Sequence, residues 1–103
     1  MKAKILIVED ESVVAAEIAC ILESIGYQVV GTVRNGDKAL DFLANREIDL
    51  ALLDINIKGQ LSGIDLGKII QQQYQFPHVF LTAHADAATL NAVKETLPYG
   101  IFI

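Results

Sequence analysis

Four side chains could do chemistry together if the fold gathers them: Glu9, Asp10, Asp54 and Thr82. Glu9-Asp10 ends the apolar run Ile5-Leu-Ile-Val8, Asp54 ends Leu50-Ala-Leu-Leu53, and Thr82 follows Val79-Phe-Leu81. Each stands where an apolar segment gives way to polar residues. Three carboxylates at close quarters raise one another's proton affinity or recruit a cation. An all-oxygen set suits a hard divalent metal, Mg2+ above all. A carboxylate is also a nucleophile toward phosphorus, giving an aspartyl-phosphate. A hydroxyl such as Thr82, and backbone N–H groups in the loop after Asp54, could then hold phosphoryl oxygens. Taken singly, each residue has a plainer role. Asp54 alone reads as a turn or helix-entry carboxylate, Thr82 alone as a strand-end residue, and Glu9-Asp10-Glu11 as acids favoured at a helix N-terminus.

What decides between these readings is the set of elements that would carry the residues. Short apolar runs bounded by polar residues read as strands buried on both faces. Ile5–Val8 is the first and Leu50–Leu53 the third. Ser12 is a cap for a helix whose apolar face is Val14, Ile18, Ile21, Leu22 and Ile25, closed by Gly26. Tyr27–Thr32 is a second strand, more polar and so placed at an edge. Asn35-Gly-Asp37 starts a helix carrying Ala39, Leu40, Leu43 and Ala44. A loop with two glycines, 56–63, follows Asp54, and Ser62-x-x-Asp65 opens a helix with Leu66, Ile69, Ile70 and Tyr74. Pro77 leads into a fourth strand, Val79–Leu81. A helix from Ala85 or Asp86 carries Leu90, Val93 and Leu97 and stops at Pro98, and Gly100–Ile103 is a fifth strand. The alternation predicts an α/β fold of one domain, residues 1–103, with a doubly wound parallel sheet. In the flavodoxin-like order 2-1-3-4-5 the first and third strands are neighbours at the switch point, where ligands bind. That order brings Glu9 and Asp10 beside Asp54, with Thr82 one strand further on.

Composition narrows the function classes. Of 103 residues, 52% are hydrophobic and 20% charged, which excludes a disordered segment. A net charge of -5 argues against a nucleic-acid surface, since phosphate binding needs a clustered basic face. A lone cysteine, Cys20, excludes an internal disulfide framework and fits a reducing compartment. On its helix, Cys20 is expected to serve packing. The first apolar run is too short and too soon acidic for a signal peptide, and no run approaches membrane-spanning length. The expectation is a cytoplasmic protein with no membrane partner.

Ile5-Leu-Ile-Val-Glu-Asp-Glu11, Leu52-Leu-Asp-Ile-Asn56, Gly63 and Leu81-Thr-Ala83 together resemble the receiver domain of two-component response regulators, with its CheY-like fold. The resemblance covers essentially the whole chain. It implies that Asp54 is the phosphoacceptor, charged by a sensor histidine kinase or a histidine phosphotransfer protein. It implies that Glu9 and Asp10 serve Mg2+, that Asn56 offers its backbone carbonyl to the metal, and that Thr82 is the switch hydroxyl. It implies no enzymatic role beyond self-phosphorylation from a donor and slow autodephosphorylation.

Three features depart from the family pattern. The acidic pair is Glu-Asp where many relatives have Asp-Asp. The loop after Asp54 lacks the usual proline. The family's lysine after the fifth strand would be the residue after Ile103, and a last helix would follow, so the chain reads as a C-terminally truncated receiver. Ile101 stands where a switch aromatic is usual. A missing helix would uncover apolar surface and favour a homodimer or higher self-association. Two other functions compete: a pseudo-receiver that binds partners without a phosphate switch, and a flavodoxin-like metal-dependent phosphatase. The latter would need a second acid two residues after Asp54, where Asn56 stands.

Overall fold

The computed structural model describes residues 2–55, 57, 59–81 and 100–102. Elements alternate along the chain: β1 (Lys4–Val8), α1 (Ser12–Ser24), β2 (Gln28–Val33), α2 (Gly36–Asn45), β3 (Leu50–Asp54), α3 (Gly63–Ile69), β4 (His78–Leu81) and β5 (Gly100–Phe102). All paired strands are parallel, in the order β2-β1-β3-β4-β5. The doubly wound fold expected from the pattern is thus the fold observed, with β2 at an edge. The helix expected over residues 85–97 lies outside the described residues.

Alternate strand residues serve different layers, as the pleat requires. Leu6, Val8, Ala51, Leu53 and Phe80 face a core completed by Ala39 and Leu43 of α2 and Leu66 of α3. Ile5 and Ile7 face the other way, against Ala15, Ile18 and Leu22 of α1. β3 is not buried equally on its two sides. Ala51 and Leu53 are sealed, while Leu50 and Leu52 are half-buried on the α1 side. The register of β1 on β3 is pinned at its start by two hydrogen bonds. The Lys4 N–H donates to Asp49 Oδ2 at 2.7 Å, and the Asp49 N–H donates to the Lys4 carbonyl at 2.8 Å.

Helix starts follow local chemistry in two cases and miss it in one. Asn35 Oδ1 accepts from the Lys38 N–H at 2.9 Å. Ser62 and Asp65 form a reciprocal capping box, at 3.1 and 3.0 Å. At α1 the expected Ser12 cap is corrected: Glu11 holds the cap position with no side-chain bond, and Ser12 is already helical. The apolar face read for α1 is also too wide. Ile21 and Ile25 are 62% and 64% exposed, because Ala15, Ile18, Ala19 and Leu22 supply the arc that meets the sheet. Cys20 is exposed, so it does not pack as expected. In α2, Ala44 is exposed and Phe42 packs against the core in its place.

After α3 the coil widens to a π-turn over Ile70–Tyr74. The Gln75 N–H donates to the Ile70 carbonyl at 2.6 Å, and Gln75 takes φ 61°. The helical spacing that runs on to Tyr74 therefore stops describing the face, and Tyr74 is exposed. The turn drops the chain into β4, whose His78 is almost wholly buried against Phe80, edge to face at 5.3 Å between centroids. Burial holds the His78 imidazole below its usual range, which favours its neutral form. Gly67 makes room for it: a Cβ there would stand 2.7 Å from Phe80 Cζ and 3.2 Å from His78 Nε2.

A left-handed residue with a Cβ costs about 1–2 kcal/mol, less the extra chain entropy that glycine loses on folding. Gln75→Gly is therefore expected to stabilise the fold by about 0.5–1 kcal/mol in chemical denaturation. No gain, or a loss, would mean that the Gln75 side chain contributes more than its backbone costs.

Candidate metal centre

The pairing of Val8 with Leu53 places the residues that follow each strand side by side. Glu9 leaves β1 with its N–H donating to the Val33 carbonyl of β2 at 2.9 Å. Asp54 is the last residue of β3, beside Leu81 of β4. Glu9, Asp10 and Asp54 each offer a carboxylate oxygen, and these oxygens all lie within 4.8 Å of one another. Glu9 is buried; Asp10 and Asp54 are half-buried. Three of the sequence-predicted site residues are thereby brought together. Thr82 and Asn56 lie outside the described residues.

The cluster is electrostatically uncomfortable without a counter-charge. The Glu9 carboxyl is pushed up to about 7. Burial is the main cause; the Asp54 charge and hydrogen bonds shared with Asp54 and Asp10 add to it. One contact opposes: the Glu11 N–H donates to Glu9 Oε1 at 3.1 Å. A divalent cation among three oxygens would remove this repulsion, and the donor set, hard and anionic, suits such an ion. Glu9 is the buried member, so it sits where the longer side chain of the Glu-Asp pair can reach back to the other two.

The wall behind Asp54 depends on glycine. Gly63 opens α3 against the backbone that leaves β3, its N–H donating to the Ile55 carbonyl at 3.2 Å. A Cβ on residue 63 would collide with the Asp54 carbonyl oxygen and would stand 2.9 Å from Ile55 Cα. Backbone cannot yield as a side-chain tip can, so α3 reaches this position only through glycine. A cleft of about 390 Å³ lies between Asp10, the start of α2 and the Gly59–Leu61 segment. Arg34 and Lys38 line it. Neither stands out in the sequence, where both look like ordinary surface cations. The one signal is that Arg34 immediately precedes the Asn35-Gly-Asp37 turn.

Comparison with known proteins agrees with the geometry. The family model for the response regulator receiver domain matches residues 5–101. The sensory transduction protein LytR of Staphylococcus haemolyticus is 40% identical over 98 residues, covering 93% of this chain and 38% of that protein. The chain thus spans well under half the length of that relative. Among solved structures, the signal receiver domain of a modulated diguanylate cyclase from Desulfovibrio desulfuricans superposes with a TM-score of 0.92 at 33% identity, covering 98% of this chain and 80% of that one. The BeF3-activated N-terminal receiver domain of RstA from Klebsiella pneumoniae gives 0.87 at 31% identity, covering 96% and 83%. Among the described residues no helix is long and apolar enough to cross a membrane.

The proton on Glu9 makes a testable pH signature. Its folded-state value, about 7, lies above the ordinary 4.5. Between those values the folded protein holds a proton that the unfolded chain has lost. The stability this contributes is complete below about 4.5 and is lost as pH rises through about 7. A cation must displace that proton. Added Mg2+ is therefore expected to raise the Tm more at pH 8 than at pH 5.5, and Glu9→Gln is expected to flatten the difference. An equal Mg2+ shift at both pH values would contradict the assignment of Glu9 to the cluster.

Proposed function

The chain belongs to the response regulator receiver domain family, and on that premise we propose that it accepts a phosphoryl group on Asp54 and passes the change of state to an output. The single observation that carries the reading is the convergence of Glu9, Asp10 and Asp54 at the carboxyl ends of β1 and β3. A structural carboxylate at a strand end needs no such company. The donor is a phosphohistidine on a sensor histidine kinase or a histidine phosphotransfer protein.

An oxygen of the Asp54 carboxylate attacks phosphorus. The bond from phosphorus to the donor's imidazole nitrogen breaks, and the imidazole leaves with its electron pair. Glu9, Asp10 and Asp54, with the backbone carbonyl of Asn56, would hold Mg2+, which when bound neutralises the phosphoryl oxygens. Glu9 and Asp10 set the position of the site; Gly63 lets the α3 end back the Asp54 carbonyl. Thr82, one residue beyond β4, is the hydroxyl that would take a phosphoryl oxygen and report the change. Transfer of this type depends on positioning and charge neutralisation more than on acid–base chemistry. The domain turns over no other substrate in this reading.

Self-association belongs to the same proposal. Ile21 and Ile25 lie exposed on α1, the helix that covers Ile5 and Ile7 and is flanked by half-buried Leu50 and Leu52.

The experiment is incubation with Mg2+ and acetyl phosphate, read by intact mass, with Asp54→Asn in parallel. The expected outcome is gain of one phosphoryl group by the parent chain and none by the variant, with beryllium fluoride binding following the same pattern. Equal gain in both proteins would contradict Asp54 as acceptor. A folded parent chain with no response to either reagent favours a protein-interaction module without a phosphate switch. Gly63→Ala is expected to lower stability by about 2 kcal/mol or more and to slow phosphorylation, because it displaces the Asp54 backbone.

A further inference from the structure

The cleft beside the carboxylate cluster is lined by charged side chains. Its walls carry Asp10, Arg34, Asp37, Lys38, Gly59 and Leu61. Asp10 is common to the cleft and the carboxylate cluster, so the cleft adjoins the cluster through one side chain. The charges are mixed: Asp37 stands in the first turn of α2, at the helix end that favours an acid. Asp10 is committed to the cluster. Arg34 and Lys38 form no ion pair with any described residue; the ion pair found there is Lys4 with Glu47, at 3.4 Å. Arg46 is occupied elsewhere, its guanidinium 5.1 Å above the Phe42 ring. Among the described cations, Arg34 and Lys38 are therefore the pair that stands beside the site with capacity to spare.

We propose that Arg34 and Lys38 form a leaving-group subsite for small acyl phosphates, beside the phosphoacceptor. The proposal rests on the reading of Asp54 given above. The reaction supplies the reason for cations there. An Asp54 carboxylate oxygen attacks phosphorus, and the bond from phosphorus to the bridging oxygen of the acyl phosphate breaks. The electron pair stays on that oxygen, so a carboxylate anion leaves and Asp54 keeps the phosphoryl group. No proton, oxidant or further reactant is needed. Negative charge grows on the departing carboxylate during the step and is smaller before it. A group that binds the developing carboxylate of the transition state more strongly than the intact acyl phosphate accelerates the step. A guanidinium matches a carboxylate in shape and charge, and an ammonium adds a mobile donor. Both side chains are exposed, so solvent screening limits the two together to roughly a five- to tenfold effect on rate.

The leaving group offers a direct test. Acetyl phosphate releases acetate, whereas phosphoramidate releases neutral ammonia. Phosphorylation rates with Mg2+ are compared for both donors in the parent chain, Arg34→Gln, Lys38→Gln and the double variant. The double variant is expected to lose about five- to tenfold with acetyl phosphate and less than twofold with phosphoramidate. Unchanged beryllium fluoride binding checks that the acceptor site is intact. Equal losses with both donors, or no loss with acetyl phosphate, overturn the subsite. Phosphoramidate labelling that requires Asp54 leaves the phosphoacceptor reading standing in either case. Absence of labelling from both donors overturns that reading and the subsite with it.

Discussion

Carboxylate repulsion at the mouth of the β1–β3 pair is the constraint around which this molecule is arranged. Parallel pairing of Val8 with Leu53 forces Glu9 and Asp54 out of the core on the same side. A shift of one residue in that register would exchange inward and outward side chains along the whole strand. Leu53 would then lose its buried place, so the core cannot relax to separate the acids. The hydrophobic layers hold the charges together, and burial, with the neighbouring Asp54 charge adding to it, raises the proton affinity of Glu9.

This coupling gives the domain a simple physical logic. Apolar burial on both faces of the sheet is a non-directional, area-driven stabilisation. It is spent in part on holding three acids within reach of a cation and a phosphoryl group. A ligand that satisfies the acids then releases energy at the strand ends, close to β4. Local openings that such a ligand could bias are drawn from weaker parts of the structure. The π-turn before β4, with its left-handed Gln75, is one place where regular backbone has already been given up.

Much of this was legible in the residues because strand ends and helix starts are local events. Apolar runs of four residues, the Asn35-Gly-Asp37 turn and the Ser62-x-x-Asp65 box each carry their own chemistry. The carboxylate cluster needed one further step, the strand order, which right-handed crossovers and alternation nearly determine. What local pattern cannot tell is which part of an apolar helix finds a partner. Ile21 and Ile25 sit on the right arc by spacing, yet among the described residues the α1 side chains packed against Ile5 and Ile7 are Ala15, Ile18, Ala19 and Leu22. Gln75 carried no glycine signal, so the left-handed turn was invisible. Arg34 and Lys38 gain meaning from the cleft, which is made by three segments distant in sequence. Their roles could not be read from type or spacing.

The most direct test of the cluster is to watch where a divalent ion goes. Mn2+ can replace Mg2+ at oxygen-rich sites and broadens nearby amide resonances in NMR spectra. Titration at pH 8 is expected to broaden residues 8–11 and 53–55 first, leaving the amides of the α2 C-terminus and the π-turn sharp, and Asp54→Asn is expected to weaken the effect. Broadening centred on another acidic patch, or none at these strand ends, would contradict the account.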